Sequence, residues 1–382
     1  MTTALINARV LTAHCFETGL AVLIEHGRIA DVVAESDPHV RTARQHDLAG
    51  LTLAPGFIDT QVNGGGDVLF NDAPNVDTIQ RIAAAHRRYG TTGLLPTLIS
   101  DEVGVMRAAI AAVDDAIAQG VPGVLGIHLE GPYLAAARKG VHDETMFRVP
   151  DAAEIELATS LRGGKTLLTL APELIPAQTL REFVARGVVV AAGHTAASYD
   201  ETRAALDAGV RGFTHLYNAM TPLAGREPGV VGAALDDRES WCCVIVDGHH
   251  VHPAALRVAL AAKPRGKIVL VTDAMPPVGG DSPSFTINGE TATVRDGKLT
   301  TADGTFAGSV LDMAQAVRNT VAWLDVPLDE ALRMASTYPG DFIGLSASHG
   351  RIAPGYAADL VALDDKLQVR ATWIAGKIEV YD

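Results

Sequence analysis

Residues 187–218, GVVVAAGHTAASYDETRAALDAGVRGFTHLYN, contain two short apolar runs separated by an Ala-rich amphipathic stretch. A short apolar run is typical of a buried strand, and an amphipathic stretch between two such runs is typical of a crossover helix. The segment therefore predicts a β-α-β unit of a parallel sheet. A histidine, His194 or His215, lies at or near the C-terminal end of each predicted strand.

The same alternation recurs through the middle of the chain. Eight apolar runs predict eight strands: GFIDTQV (56–62), TGLLPTLI (92–99), GVLGIHLEG (123–131), TLLTLAPE (166–173), GVVVAAGH (187–194), RGFTHLYN (211–218), CCVIVDGHH (242–250) and KIVLVTDAM (267–275). Helices are predicted between them, and several end at a glycine suited to a left-handed C-cap: residues 76–90, 102–120, 177–187, 198–209 and 253–266. We therefore predict an α/β fold with a (β/α)8 TIM-like barrel over residues 54–349.

The two ends of the chain have shorter alternating apolar runs, broken by glycine and polar residues, which are typical of small strands. The clearest are LAVLIEHGRIADVV (20–33), DLVALD (359–364) and ATWIAGKIEV (371–380). We predict that residues 1–53 and 350–382 together form one small β-sandwich domain.

Two insertions follow predicted barrel strands, at residues 134–150 and 276–309. The second contains FTINGETATVRDGKLT (285–300), in which Asn-Gly and Asp-Gly pairs predict tight hairpin turns. Both insertions lie at the C-terminal face of the barrel, where active sites of this fold are found.

Composition excludes several classes of protein. The chain has 382 residues, 48% hydrophobic and 20% charged, and a net charge of −14, without a basic cluster that would suit nucleic acid or an anionic membrane. Cys15, Cys242 and Cys243 are too few and too badly spaced for a disulfide framework. The first residues lack the pattern of a signal peptide, and no apolar stretch approaches a membrane span, so we expect a cytoplasmic protein.

Four polar side chains are predicted at or near C-terminal strand ends: Glu130, His194, His215 and Asp273. His194 and His215 are 21 residues apart, about one β-α unit, so they are expected on neighbouring strands. Taken singly, each has an ordinary structural explanation, such as a hydrogen-bonded histidine, a turn cap or a helix N-cap. Together, two imidazoles and a carboxylate predict a catalytic metal site with an open position for water.

Nine short motifs are spread across nearly the whole chain: PGFIDTQVNGGG (55–66), GTTGLLPT (90–97), HLEGPYL (128–134), KGVH (139–142), GHTAA (193–197), THLYNAM (214–220), VDGHHV (246–251), LVTDAM (270–275) and AGS (307–309). In these motifs and in their order, the sequence resembles the amidohydrolase superfamily and, within it, the N-acetylglucosamine-6-phosphate deacetylases. Of these motifs, HLEGP, THLYNAM and VTDA in combination are the most specific.

The resemblance implies one divalent metal per subunit on Glu130, His194 and His215, with zinc favoured and iron or cobalt open. Many amidohydrolases hold a second metal with His-x-His after the first strand, whereas Gln61 and Asn63 occupy those positions here. Neutral amides are poorer ligands than imidazole, so we predict a single tightly held metal. Gln61 and Asn63 could instead order only water or the adjacent loop.

The resemblance also suggests roles for residues around the metal. Asp273 is the natural general base and then acid for a metal-activated water, and His142 resembles the residue that polarises the amide carbonyl. Arg226 and His250 resemble contacts to the phosphate of a phosphorylated amino sugar, with Asn218 and Ala219 as further sugar-phosphate contacts. Because some family members share phosphate contacts between subunits, we expect a homodimer.

The resemblance implies hydrolysis of N-acetylglucosamine 6-phosphate to glucosamine 6-phosphate and acetate. Two alternatives stay open. One is a related amidohydrolase that acts on another N-acyl substrate, and the other is a catalytically silent barrel that serves as a binding protein. The joint presence of all four strand-end residues speaks against the silent barrel.

Overall fold

The computed structural model describes residues 2–381 and begins with a series of short strands. These N-terminal elements are β1 (Thr3–Ile6), β2 (Arg9–Leu11), β3 (Phe16–Glu17), β4 (Leu20–Glu25), β5 (Arg28–Ala34), α1 (Pro38–Thr42), β6 (Arg44–Asp47) and β7 (Thr52–Pro55).

Strands and helices then alternate along the chain. The elements are β8 (Phe57–Val62), β9 (Gly64–Gly65), β10 (Val68–Leu69), α2 (Val76–Arg87), β11 (Thr91–Ile99), α3 (Val103–Ala118), β12 (Gly126–Glu130), α4 (Ala152–Ala158), β13 (Lys165–Leu170), α5 (Ala177–Ala185), β14 (Val189–Ala192), α6 (Tyr199–Asp207), β15 (Gly212–Phe213), α7 (Gly229–Asp236), β16 (Trp241–Val244), α8 (Pro253–Ala262) and β17 (Ile268–Leu270). Short 3₁₀ turns occupy Ala136–Arg138, Glu144–Met146 and Pro172–Leu174.

The remaining elements are an inserted set of strands, three helices and the C-terminal strands. They are β18 (Ser284–Ile287), β19 (Glu290–Arg295), β20 (Lys298–Thr300), α9 (Met313–Leu324), α10 (Leu328–Ala335), α11 (Thr337–Phe342), β21 (Leu360–Leu363), β22 (Val369–Ile374) and β23 (Lys377–Val380).

Eight parallel strands form the central sheet in the order β17-β16-β15-β14-β13-β12-β11-β8. The first and last strands meet beyond the end of β17, where the Asp273 N–H donates to the Gln61 carbonyl at 3.0 Å and Val62 pairs with Ala274. The sheet is thereby curved into a barrel, and the predicted fold class is confirmed. Each of the eight predicted runs overlaps one barrel strand.

Strands from the two ends of the chain share a sheet. A six-stranded sheet has the order β23-β22-β21-β7-β2-β3, and a four-stranded sheet has the order β5-β4-β1-β6. Leu5, Val10, Leu53, Leu360 and Trp373 are buried together in a hydrophobic cluster to which both ends of the chain contribute. Burial of these side chains joins the termini without a covalent link.

Helix ends follow the sequence signals closely. The Asn75 side chain accepts from Thr78 N at 3.0 Å to cap α2, and Ser198 forms a capping box with Glu201 at the start of α6. Gly120 and Gly187 follow α3 and α5 with φ of 71° and 88°, and no atom lies within 4 Å of the position that a Cβ would take. Backbone conformation, and not crowding, therefore selects glycine there.

The second insertion forms a small three-stranded antiparallel sheet, β18-β19-β20, which we call the lid sheet. Its two turns have positive φ at Asn288, Gly289, Asp296 and Gly297, the conformation that Asn-Gly and Asp-Gly pairs favour in tight hairpins. Met275, Ile287, Ala292, Leu299 and Ala307 pack together and hold this sheet against the turn that follows β17. Within residues 2–381, no helix has both the length and the apolar character to cross a membrane.

Candidate metal centre

Three predicted metal ligands meet at the C-terminal face of the barrel. Glu130 is the last residue of β12, whereas His194 and His215 lie two residues beyond the neighbouring strands β14 and β15. The Nε2 atoms of His194 and His215 lie 3.2 and 3.0 Å from Glu130 Oε1, and 3.0 Å from each other. All three side chains are buried.

The donor set fits a divalent cation. Ligand atoms at about 2.1 Å from a tetrahedral zinc are roughly 3.4 Å apart, close to the spacing found here. His194 Nδ1 lies 2.8 Å from the Arg138 carbonyl, so Nδ1 carries the proton and the Nε2 lone pair faces Glu130. Two imidazole nitrogens and a carboxylate oxygen that converge in a buried space require a cation or a shared proton between them.

The electrostatics of the three side chains agree with this requirement. Burial alone would raise the pKa of Glu130, but the adjacent His194 and His215 rings hold that pKa well below the usual range. Burial alone would lower the pKa of His215, but the adjacent Glu130 carboxylate raises it. The site thus favours positive charge beside an ionised carboxylate.

Several residues at the same face have a left-handed backbone conformation. His194, His215 and Asp273 have φ of 48°, 31° and 54°, and Ala219, beyond β15, has φ of 49°. Residues with a Cβ rarely adopt these left-handed values, which recur where a surrounding structure fixes functional side chains. The chain turns sharply after each strand, and these turns aim the side chains into one cavity.

Asp273 lies in the same cavity and is held by two side-chain amides. Gln61 belongs to β8, and Asn63 directly follows that strand. Its Oδ1 accepts from Asn63 Nδ2 at 2.7 Å and from Gln61 Nε2 at 3.1 Å, and Gln61 Nε2 also lies 3.1 Å from Glu130 Oε1. Burial, followed by the Glu130 charge, raises the pKa of Asp273 to about 6. Many amidohydrolases have the ring nitrogens of a His-x-His pair at these two positions. Here Gln61 and Asn63 instead present amide N–H groups to the carboxylates.

His142 lies on the other side of the ligands, in the first insertion. Its ring centroid is 4.5 Å from that of His194, and its Nδ1 lies 3.3 Å from Ser100 N and 2.9 Å from Ser100 Oγ. Because the Ser100 amide can only donate, Nδ1 is the acceptor and Nε2 carries the proton. Burial, followed by the neighbouring His194, lowers the pKa of His142 to about 3, so the ring stays a neutral hydrogen-bond donor.

Comparison with known proteins identifies the family. Residues 52–378 match the model of the Amidohydrolase family. The chain belongs to the amidohydrolase family. It is 42% identical to N-acetylgalactosamine-6-phosphate deacetylase of Shewanella sp. (strain ANA-3), over 96% of this chain and 92% of that one. It is 39% identical to the protein of the same name from Escherichia coli O157:H7, over 92% of this chain and 93% of that one.

Among solved structures, N-acetylglucosamine-6-phosphate deacetylase from Pasteurella multocida superposes with a TM-score of 0.96 at 36% identity and covers 100% of both chains. The predicted resemblance to amidohydrolases, and to these deacetylases within them, is confirmed.

In this amidohydrolase the cavity continues from the metal ligands to His250. His250 Nδ1 lies 2.7 Å from Asp247 Oδ2, and Asp247 Oδ1 accepts from the backbone N–H groups of His249 and His250 at 2.8 and 2.9 Å. Burial would raise the pKa of Asp247, but the His250 ring and the backbone N–H groups of His249 and His250 together lower it. Asp247 therefore fixes the orientation of the His250 ring through Nδ1, at the end of the cavity away from the metal ligands.

The remaining predicted contacts divide into two groups. Asn218 and Ala219 line the same cavity as the metal ligands, and the Asn218 amide donates to the His215 carbonyl at 3.0 Å. Arg226 is exposed on the 221–228 loop and lies outside the lining of this cavity. Its neighbour Glu227 accepts from Tyr199 N and Gly229 N, so it orders the loop. A single chain does not bring Arg226 to His250.

Several residues of the amidohydrolase site were missed by the sequence analysis. Ser100 follows β11 directly, so the strand-end rule that found Glu130 could also have found it. Asp247 precedes His250 by three residues, the spacing of a local Asx turn. Asp59, which accepts from Thr272 Oγ1 at 2.5 Å and has a pKa raised by burial to about 7, is a carboxyl group within an apolar run. The Arg138 carbonyl carries no sequence signal.

Two further histidines lie near the site. His128, two residues before Glu130 on β12, lies 2.7 Å from Thr169 Oγ1 and 3.2 Å from Thr97 Oγ1 inside the barrel. His252 caps α8, accepting from Ala254 N at 3.2 Å, which is a structural role.

Proposed function

We propose that this chain hydrolyses N-acetylglucosamine 6-phosphate to glucosamine 6-phosphate and acetate in amino-sugar catabolism. One observation carries the proposal: Glu130, His194 and His215 converge within 3.2 Å of one another beside the buried carboxyl group of Asp273. The relatives described above supply the substrate class, since both names denote removal of acetate from a phosphorylated amino sugar.

The resident metal is proposed to be one zinc ion per subunit, held by Glu130, His194 and His215. Two imidazoles and a carboxylate suit catalytic zinc, and iron(II) or cobalt(II) would suit the same donors. When bound, the metal would act as a Lewis acid that activates water and polarises the acetyl carbonyl.

His142 and Asp273 would perform the steps that need a proton. His142 donates its Nε2–H to the acetyl oxygen and stabilises the negative charge that develops there. Asp273 Oδ accepts a proton from the attacking water and then delivers it to the departing nitrogen. The oxygen of the water thus ends in acetate, and its transferred proton ends on the free amine. Asn63 and Gln61 hold the Asp273 carboxylate in place through both transfers.

The other end of the cavity would bind the phosphate. His250, held by Asp247, supplies one imidazole contact, while Asn218 and Ala219 supply polar and main-chain contacts. Arg226 is proposed to reach the phosphate of a second subunit in a homodimer, because it lies outside the cavity of its own chain. A guanidinium binds phosphate in a bidentate manner that a lysine cannot reproduce.

A second candidate substrate is the C4 epimer, N-acetylgalactosamine 6-phosphate. The relatives at 42% and 39% identity carry that name, whereas the Pasteurella structure at 36% is named for the glucosamine form. Both substrates present the same acetamide and phosphate, so the chemistry proposed above is unchanged. We also propose a reducing, cytoplasmic location, consistent with Cys15, Cys242 and Cys243 being free.

The test is acetate release from each epimer by zinc-loaded protein and by protein treated with a chelator, with metal content measured per chain. We expect rapid, chelator-sensitive release from at least one epimer, restored by zinc, and about one tightly bound metal per chain. Chelator-insensitive release, or no release from either epimer by metal-loaded protein, would refute the proposal. A requirement for two tight metals would refute the single-metal part alone.

A further inference from the structure

The cavity that joins the metal ligands to His250 is lined by both polar and apolar side chains. The polar lining includes the metal ligands, His142 and Asp273, and the apolar lining includes Ile99, Met275 and Phe306, around a space of about 200 Å³. Phe306 is the aromatic residue of this lining, and its ring centroid lies 4.6 Å from that of His250, at an interplanar angle of 39°. The phosphate-binding histidine and an aromatic ring are therefore adjacent.

The backbone around Phe306 is fixed on both sides by the lid sheet. Phe306 pairs with Thr300, and Ala307 N donates to the Leu299 carbonyl at 3.1 Å. The preceding turn is held by Asp303, whose carboxylate accepts from Thr305 N at 3.0 Å and from Thr305 Oγ1 at 3.0 Å. Because the backbone is hydrogen-bonded on both sides of Phe306, the position of its ring at the cavity is fixed.

The positions of the two substrate ends place the sugar ring next to Phe306. This step rests on the proposed function, in which the acetamide at C2 lies at the metal ligands and the phosphate at C6 lies at His250. The pyranose ring must then span the space between them, where Phe306 contributes an apolar wall. The π face of an aromatic ring is negative, and the C–H bonds of a sugar carry small positive charges, so the two surfaces attract.

We propose that Phe306 packs against the pyranose ring and determines preference between the C4 epimers, favouring the galacto form. A galacto-configured ring presents C3–H, C4–H and C5–H together on one face, which makes a continuous apolar patch that suits an aromatic ring. In the gluco form C4–H points to the opposite face, so the patch is interrupted. No residue predicted from the sequence was assigned to this contact.

The test measures kcat/KM of the zinc-loaded enzyme for both epimers in wild type, Phe306→Leu, Phe306→Tyr and Phe285→Leu. Phe285 lies on β18 of the same lid sheet, packs against its hydrophobic cluster and is outside the cavity lining, so Phe285→Leu is a matched control. The inhibition constants of the two amine products, galactosamine 6-phosphate and glucosamine 6-phosphate, measure binding of the sugar separately from the chemical step.

We expect Phe306→Leu to lower the galacto-to-gluco ratio of kcat/KM by roughly three- to tenfold, with a parallel weakening of galactosamine 6-phosphate inhibition. Phe306→Tyr, which keeps the ring, and Phe285→Leu should leave the ratio unchanged. A ratio that is unchanged in Phe306→Leu, or that falls equally in Phe285→Leu, would overturn the inference while leaving the deacetylase proposal intact. If the wild-type enzyme released no acetate from either epimer, both the deacetylase proposal and the inference about Phe306 would be refuted.

Discussion

The two ends of the substrate cavity are built differently. At the metal end, Glu130, His194, His215 and Asp273 are buried, and each is hydrogen-bonded to another residue of the same chain. At the phosphate end, His250 is held by Asp247, but Arg226 lies on an exposed loop away from the cavity. The metal end is complete within one chain, whereas the phosphate end lacks its proposed guanidinium.

This difference follows from the chemistry that each end must perform. A metal site and a general base need fixed geometry, because small displacements of a reacting group cost large factors in rate. An oxyanion such as phosphate needs mainly positive charge and donors at its edge, which a neighbouring subunit can provide as well as the same chain. Damage to the two ends should therefore have distinct kinetic consequences.

The largest effect is expected at the metal end. In His194→Ala, loss of one of three ligands should remove most of the bound zinc and lower kcat/KM by roughly a thousandfold or more, because metal catalysis contributes several kcal/mol. Zinc per chain and acetate release are the measurements. His39→Ala is the control, since His39 is exposed on α1 far from the barrel strands. Full zinc content in an inactive His194→Ala enzyme would contradict the ligand assignment.

A smaller and more selective effect is expected at the phosphate end. Arg226→Ala should lower kcat/KM for the 6-phosphate by roughly ten- to a hundredfold, the value of a hydrogen bond to a charged group, mainly through KM. The unphosphorylated N-acetylhexosamine should be affected much less, and zinc content should not change. Equal losses with both substrates would show that Arg226 does not bind the phosphate.

Mixing the two variants tests whether Arg226 acts on a second subunit. A mixed dimer of His194→Ala and Arg226→Ala chains contains one site with an intact metal end and an arginine donated by its partner. Random reassociation should then restore about a quarter of wild-type activity, although each variant alone is impaired. Activity no greater than that of the separate variants would place Arg226 in the site of its own chain or outside any site.

The contrast between the ends also explains what the sequence could predict. Glu130, His194, His215 and Asp273 could be placed together because the C-terminal ends of neighbouring parallel strands meet at one face. The same rule would have added Ser100. It could not predict the left-handed φ of His194, His215 and Ala219, because residues with a Cβ give no local sign of such strain.

Phe306 and Arg226 show a second limit. Phe306 lies 33 residues beyond Asp273 in the sequence and enters the cavity only because the lid sheet folds back over the barrel mouth. Its position depends on tertiary packing and not on a strand end. Arg226 has no partner in the cavity of its own chain, so its role depends on an assembly that strand-end reasoning does not describe.

The last expected effect is on stability and not on rate, and it concerns the support behind the metal end. Buried His86 on α2 lies with Nε2 2.9 Å from the Gly64 carbonyl, one residue beyond Asn63. Burial lowers the pKa of His86 to about 4, against an ordinary 6.5. Between pH 6.5 and pH 4, His86 therefore binds a proton in the unfolded chain but not in the folded chain. The free energy of unfolding has its full value above pH 6.5 and decreases as the pH falls towards 4.

When the pH is lowered from about 7.5 to 5, His86 should reduce the free energy of unfolding of the wild-type protein by roughly 2 kcal/mol. His86→Gln keeps a side-chain N–H that can donate to Gly64 but cannot take up a proton. The free energy of unfolding of this variant should therefore fall by about that much less over the same pH interval. Urea unfolding of both proteins at the two pH values measures the difference. Because Gly64 follows the amide that holds Asp273, His86→Gln should retain activity at neutral pH. Parallel losses in the two proteins would show that His86 is protonated as easily in the fold as outside it.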